Sequence, residues 1–171
     1  LLIDPLTLLG RELETLLPSI PGLADGLRLL HSGTDDEHQI AELRGAPALV
    51  PPLNSPEDLE GCPGIVLAAE VDSPRLDHLE AHLARWPDTP LVVMGTATRF
   101  SRRFPPAAGL PGEVPATAQV RVPHPAAAAA VLLLEALRHL QPVSLSVAAV
   151  EPVSAFGSTA VEVLAKQAAR R

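Results

Sequence analysis

Residues 65–94 read IVLAAEVDSPRLDHLEAHLARWPDTPLVVM, and this stretch decides the fold class. Its first five residues and its last four are entirely apolar, as buried strands are. Between them, Ser73-Pro74 supplies a cap and a first-turn proline for a helix that runs to about Trp86. Pro87 to Pro90 then turn the chain. This order predicts a crossover connection between two strands of a parallel sheet whose faces are both covered.

Further elements of the same kind lie on either side. Short, mostly apolar strands are predicted at 1–3 and 27–30, and a small strand at 120–122. A helix is predicted from about Leu8 to Leu17 with Thr7 as its N-cap, and another from Pro125 to about Leu140. These elements predict an α/β domain with a doubly wound, Rossmann-like parallel sheet over residues 1–140.

The stretches between these elements carry weaker signals. Residues 31–42 are polar, and we expect irregular structure there, followed by a short strand at 48–50. Ser55, with a proline at the first helical position and two acids in the first turn, predicts the start of a helix.

A different pattern begins near Leu140. Residues 143–150 form a longer apolar stretch with serine at alternate positions, which predicts a strand in a second sheet with one wet face. A capping box of Thr159 and Glu162 predicts a final helix. The chain opens as if inside a strand and closes as if inside a helix, so we expect both ends to be cut relative to the natural protein.

Composition excludes several classes of function. The formal net charge of −7 and the pI of about 5.3 argue against nucleic acid or an anionic membrane as the main partner. The longest apolar run, 126–134, is too short for a membrane span, which needs about 20 residues. The single cysteine, Cys62, excludes an intramolecular disulfide and a thiolate zinc cage. We expect a cytoplasmic protein.

The turn after the first strand is where an open α/β fold binds a nucleotide, because a helix N-terminus attracts phosphate. Here the turn reads DPLTLLG over residues 4–10, and Gly10 is its only glycine. Pro5 removes a backbone donor, and Asp4 places an anion where a phosphate would sit. The turn therefore predicts no tight nucleotide binding.

Several stretches match a known family in order and spacing. The most specific is VAAVEPVSAFG at 147–157. The other matching stretches span residues 4–13, 29–32, 59–69 and 93–102. On these stretches the chain resembles the aspartate-semialdehyde dehydrogenase family, including its degenerate branch. The resemblance implies a nucleotide domain over 1–140 and, over 141–171, the opening strand and helix of a dimerisation domain.

The resemblance also assigns roles to single residues. The family's cysteine nucleophile falls on Ala126, within a residue, and its active-site glutamine falls on Glu151. Arg102 would hold the substrate anion. Residues in cofactor-binding positions are Thr7, Gly10, Ser32, Ser154 and Gly157. The carboxylates of Asp35 and Asp36 would repel the 2′-phosphate of NADP.

For the other candidate residues, a structural role is an alternative to the functional one. Cys62 could be a displaced nucleophile, although an inert thiol fits its setting better. His78 and His82 share a helix face and could bind a metal, but no third ligand is evident. The basic cluster of Arg99, Arg102 and Arg103 fits an anion site or a solvated loop equally well.

Two further polar candidates lie late in the chain. His124 precedes Ala126 and suggests a histidine catalyst, but it lacks a nucleophile partner. Glu151 and Ser154 form a polar pair, and the structural alternative is that Glu151 is an edge residue held by a salt bridge.

We therefore predict a relative of the dehydrogenases that has lost catalysis. It would act as a structural or regulatory homodimer or subunit, with no cofactor, or with NADP or NAD if some binding is retained. One alternative is an active NAD(P)-dependent semialdehyde dehydrogenase of amino-acid biosynthesis. Another is a nucleotide- or metabolite-binding module without chemistry, with Arg102, Ser154 and Gly157 lining its site.

Overall fold

A computed structural model describes residues 1–20, 23, 26–94, 98–100, 119–122, 125–141, 143–144, 146, 148 and 158–169. In chain order the strands and helices are β1 (Leu2–Ile3), α1 (Leu8–Leu16), β2 (Leu29–Leu30), β3 (Gln39–Leu43), β4 (Ala46–Val50), β5 (Ile65–Leu67), α2 (Leu76–Arg85), β6 (Leu91–Val93), β7 (Gln119–Arg121), α3 (Pro125–Ala136) and α4 (Ser158–Ala168). Short 3-10 helices cover Leu17–Ser19, Pro56–Leu59 and Arg138–Leu140.

The sheet confirms the α/β class. Five strands pair in the order β2-β1-β5-β6-β7, and every pairing is parallel. In register, Leu2 lies between Leu29 on one side and Val66 on the other. The edge beside β2 is extended by one more parallel bridge, between His31 and Pro52.

Both faces of the sheet carry a buried core. On one face, α2 and the 3-10 helix at Pro56–Leu59 pack over alternate strand residues such as Ile3, Leu67 and Val93. On the other face, α1 and strands β3 and β4 pack over Leu2 and Leu29. The apolar strands are therefore explained by burial from two sides, as the sequence indicates.

The prediction of irregular structure over 31–42 is wrong for its last four residues, which belong to β3. β3 and β4 form an antiparallel hairpin in which Ala41 lies opposite Ala48 and faces the core. Its turn residues Arg44 and Gly45 have φ of 58° and 75°, as a two-residue type I′ turn requires. Arg-Gly is a weaker turn signal than Asn-Gly, so the sequence pattern does not predict the hairpin.

The predicted helix at Ser55 is only a 3-10 turn, although its cap is as expected. The Ser55 and Asp58 side chains form a capping box, and Asp58 Oδ2 accepts hydrogen bonds from the backbone of Asn54 and Ser55 at 2.8 and 2.9 Å. The turn buries Leu59 and then ends, because Glu60 adopts an extended conformation with a ψ of 145°.

The C-terminal region departs from expectation in part. α3 ends at Ala136, followed by a 3-10 turn, rather than running unbroken to Leu140. In the predicted strand over 143–150, the described residues Val143, Ser144, Ser146 and Ala148 lie outside any strand. A dimerisation domain over 141–171 stays a prediction. Among the described helices, none has the length and apolar character that a membrane crossing needs.

Candidate functional site at the carboxyl edge of the sheet

Ligands of open α/β sheets bind outside the carboxyl ends of the strands. In this protein that edge is formed by the residues that follow β1, β2, β5 and β6, and we call it the carboxyl edge. Asp4 and Thr7 follow β1, Ser32 follows β2, and Glu70 follows β5. The sequence-predicted residues Thr7, Gly10 and Ser32 therefore meet in one region.

The N-terminus of α1 is capped by side chains of the chain itself. Thr7 Oγ1 accepts a hydrogen bond from the Gly10 N–H at 3.0 Å, which confirms Thr7 as the N-cap. The Leu8 N–H donates to Glu70 Oε1 at 3.1 Å. A carboxylate near the positive end of a helix is stabilising. Glu70 thus takes the kind of contact that a bound phosphate would make at a helix N-terminus.

Gly10 is required by packing. A Cβ atom at this position would lie 2.2 Å from the Asp4 carbonyl oxygen and 2.7 Å from the Pro5 carbonyl oxygen. Both are backbone atoms, so they cannot give way as a flexible side chain would. The glycine therefore lets α1 approach the end of β1, a role that needs no nucleotide.

Asp4 bridges the ends of β1 and β2. Its Oδ1 accepts a hydrogen bond from the Ser32 N–H, and its Oδ2 accepts one from the Ser32 hydroxyl, each at 2.6 Å. Burial raises the pKa of the Asp4 carboxyl above its ordinary value, although the hydrogen bonds from Ser32 oppose the rise. Ser32 is therefore engaged by Asp4 rather than directed at a cofactor.

The loop after β2 is tethered by Arg75, which the sequence did not single out. The Arg75 guanidinium donates to the Asp35 carbonyl at 3.1 Å and to Asp36 Oδ1 at 2.5 Å. It also donates to the Leu53 carbonyl at 3.3 Å, across the loop. The two aspartates that the resemblance places beside a 2′-phosphate are thus joined to a cation of the chain itself.

A second helical N-terminus at this edge is also capped internally. The chain turns helical at Arg99, whose N–H donates to both oxygens of the Asp72 carboxylate, at 2.8 and 2.9 Å. The Arg99 guanidinium donates to Asp77 Oδ1 at 2.5 Å. Of the basic cluster, Arg99 therefore has internal partners. Arg102 and Arg103 lie outside the described residues.

The alternative nucleophile and metal candidates take structural roles. Cys62 packs against the core and accepts a hydrogen bond from Arg28 at 3.3 Å. His82 is buried, with its ring nitrogens 3.2 Å from the Pro56 carbonyl and 3.3 Å from the Thr89 hydroxyl. Within the part of the chain that the structure describes, no group of histidine, cysteine or carboxylate side chains could hold a metal ion.

The remaining predicted site residues belong to the C-terminal part of the chain. Ala126 lies in the first turn of α3, and an alanine offers no nucleophile there. Glu151, Ser154, Gly157 and His124 lie outside the described residues.

Comparisons of the chain with family models, with curated proteins and with solved structures found no match. The function therefore has to be argued from the residues of the carboxyl edge.

Proposed function

We propose that this chain is a non-catalytic relative of the aspartate-semialdehyde dehydrogenases that acts as a structural or regulatory subunit. In this proposal the dinucleotide site has been replaced by contacts among the protein's own carboxylates. The observation that carries it is the hydrogen bond from the Leu8 N–H to Glu70, at the N-terminus of α1.

The strand order supports descent from a dinucleotide-binding fold. When the bridge between His31 and Pro52 is counted as a short edge strand, the order becomes that edge, β2, β1, β5, β6 and β7. In chain order this is 3-2-1-4-5-6, the arrangement of the doubly wound dinucleotide-binding sheet. The finer description of the sheet as Rossmann-like rests on this order.

Charge supports loss of the cofactor. A dinucleotide placed against α1 would bring its anionic pyrophosphate close to the carboxylates of Glu70 and the partly buried Asp4. Like charges brought close together repel each other. The pyrophosphate would also have to displace Glu70 from the Leu8 N–H.

Exposed apolar side chains support a role in assembly. On α3, the consecutive residues Leu132, Leu133 and Leu134 are all exposed. Consecutive residues point in different directions around a helix, so more than one side of α3 presents apolar surface. On α4, Val161, Val163 and Leu164 are exposed as well. A helix with apolar residues on nearly all sides, as α3 has, is typically buried in a larger core. We therefore propose that these helices pack against a second copy or another subunit.

The first experiment is calorimetric titration of the full chain with NADP and with NAD. We expect no binding of either. The same titrations with Glu70→Gln test whether the Glu70 carboxylate is what excludes the pyrophosphate, because this variant removes its charge. Glu12→Gln, an exposed substitution on α1, is the matched control. A micromolar Kd for the unaltered chain, about −8 kcal/mol, would contradict the proposal.

Two further measurements separate the parts of the proposal. Reduction of NADP in the presence of aspartate semialdehyde and phosphate would support the active dehydrogenase instead. Sedimentation equilibrium of the purified chain tests assembly: we expect a dimer that dissociates in the Leu133→Glu variant. A monomer at every concentration measured would contradict self-assembly.

A further inference from the structure

A groove with a volume of about 710 Å³ lies between α1 and the β3–β4 hairpin. Its charged lining comes from both elements, with Arg11 and Glu14 on α1, Glu42 on β3 and Arg44 in the hairpin turn. Leu6 and Ile40 add apolar surface. The volume falls within the range of about 300–1,000 Å³ that small-molecule sites occupy.

Glu14 is the unusual member of this lining. Only 6% of its surface is exposed, and its Oε1 atom has no hydrogen-bond partner among the residues that the structure describes. Buried polar atoms nearly always have a partner, so an exception needs an explanation. Burial raises the pKa of Glu14 and the nearby Glu42 carboxylate raises it further, while Arg11 and a hydrogen bond from the Glu42 backbone oppose the rise.

The surroundings of Glu14 point to a cationic group. An ammonium group carries three donors and no acceptor, so it could satisfy Oε1 and also reduce the repulsion between Glu14 and Glu42. Oε1 is covered in this conformation. The terminal torsion of a glutamate is soft, so the carboxylate can turn toward the groove, where the ammonium group would replace the hydrogen bond from the Glu42 backbone.

We propose that this groove binds a small zwitterion of the α-amino-acid type. Its ammonium group would lie between Glu14 and Glu42, and its carboxylate would face Arg11, whose guanidinium matches a carboxylate in shape. Its side chain would contact Leu6 and Ile40. This surface is distinct from the carboxyl edge, so the proposal does not depend on whether that edge binds a dinucleotide.

The test is titration of the full chain at neutral pH with three matched probes. L-Norleucine carries both charged groups, pentylamine lacks the carboxylate, and hexanoate lacks the ammonium group. We expect norleucine to bind more tightly than either of the others by about tenfold, as loss of a charge-assisted hydrogen bond predicts.

Variants locate the binding. Glu14→Gln should weaken norleucine binding by about tenfold, because a neutral amide replaces the carboxylate that pairs with the ammonium group. Glu12→Gln is exposed on the same helix and should leave binding unchanged. Where Glu14→Gln does not fold, Glu42→Gln on the exposed part of the hairpin provides the same test.

Three outcomes would overturn the proposal. The first is no detectable binding of norleucine at millimolar concentration. The second is that norleucine binds the Glu14→Gln and Glu42→Gln variants as tightly as it binds the unaltered chain. The third is pentylamine or hexanoate binding as tightly as norleucine, which would remove the two-charge recognition on which the proposal rests.

Discussion

Asp4 and Ser32 join the ends of two parallel strands through a pair of hydrogen bonds. The backbone N–H and the hydroxyl of Ser32 both donate to the Asp4 carboxylate, each at 2.6 Å. Asp4 holds this position with a φ of 63°, a left-handed conformation that an aspartate tolerates better than most residues. This carboxylate thereby ties β1 to β2 at the edge where ligands of such sheets bind.

Ser32→Ala should destabilise the protein. The substitution removes the hydroxyl that donates to the partly buried Asp4 carboxylate, and a hydrogen bond to a charged group contributes about 1.5–3 kcal/mol. Urea denaturation measures the change in the free energy of unfolding. Ser19→Ala removes an exposed hydroxyl that donates to the uncharged Leu16 carbonyl, so its effect on that free energy should be smaller, at most about 1 kcal/mol. Equal effects of the two substitutions would show that the Asp4–Ser32 contact is energetically unimportant.

The raised pKa of Asp4 predicts a pH dependence with a definite sign. Because burial raises the folded-state pKa above the unfolded value, the folded state binds the proton more tightly. The resulting stabilisation is fully present below the ordinary aspartate pKa and is lost as pH rises through the raised pKa. The unaltered protein should therefore lose stability relative to Asp4→Asn over that window.

Unfolding curves of both proteins from acid to neutral pH measure this difference. The asparagine side chain of the variant does not titrate, and asparagine also accepts positive φ, so the backbone should stay in place. A stability difference that stays constant across the window would contradict the raised pKa.

Gly10→Ala should destabilise the protein because its Cβ would collide with the backbone of Asp4 and Pro5. Overpacking of this kind costs about 1–3 kcal/mol. Gly26→Ala is the matched control, since a Cβ at Gly26 would meet nothing within 4 Å. Thermal unfolding of both variants gives the comparison. If Gly10→Ala unfolds at the same temperature as Gly26→Ala, then α1 does not approach β1 as closely as described.

Gly45→Ala should destabilise the hairpin through backbone strain alone. Gly45 has a φ of 75°, and a Cβ there would meet nothing within 4 Å. A side chain in the left-handed conformation costs roughly 1–2 kcal/mol. Gly45→Asn should cost less, because asparagine tolerates this conformation. Hydrogen exchange of the β3 and β4 amides checks the effect, and similar exchange rates in both variants would contradict it.

Much of the fold was predictable because its signals are local. Apolar strand runs identified β1, β5 and β6 to within two residues, and Thr7 was correctly identified as a cap. The capping box at Ser55 was equally visible. Each of these depends on residues a few positions apart, so the sequence alone carries the information.

The β3–β4 hairpin is hard to predict from the sequence because the turn between its strands, Arg44-Gly45, is a weak turn signal. The centre of its inward face is small, because Ala41 lies opposite Ala48. Its outward face carries Ile40 opposite Leu49, so the alternation of apolar and polar residues is incomplete. Only packing on the sheet decides that this segment pairs with itself.

The candidate site was predictable in its residue types but not in its contacts. Asp4 was expected to repel a phosphate, and Thr7, Gly10 and Ser32 do lie at one edge. Arg75 carried no signal, because its partners Asp36 and Leu53 are distant in sequence. The same holds for Glu70, which lies 62 residues from the amide whose hydrogen bond it accepts.

Local sterics and apolar patterning were enough to identify the strands β1, β5 and β6 and the caps at Thr7 and Ser55. Tertiary structure decided which charges meet which donors. Parallel pairing brings the ends of β1, β2 and β5 to one edge, where Ser32 donates to Asp4 and Glu70 accepts from the first turn of α1. Hydrogen bonds between residues so far apart depend on strand register, which no local pattern records.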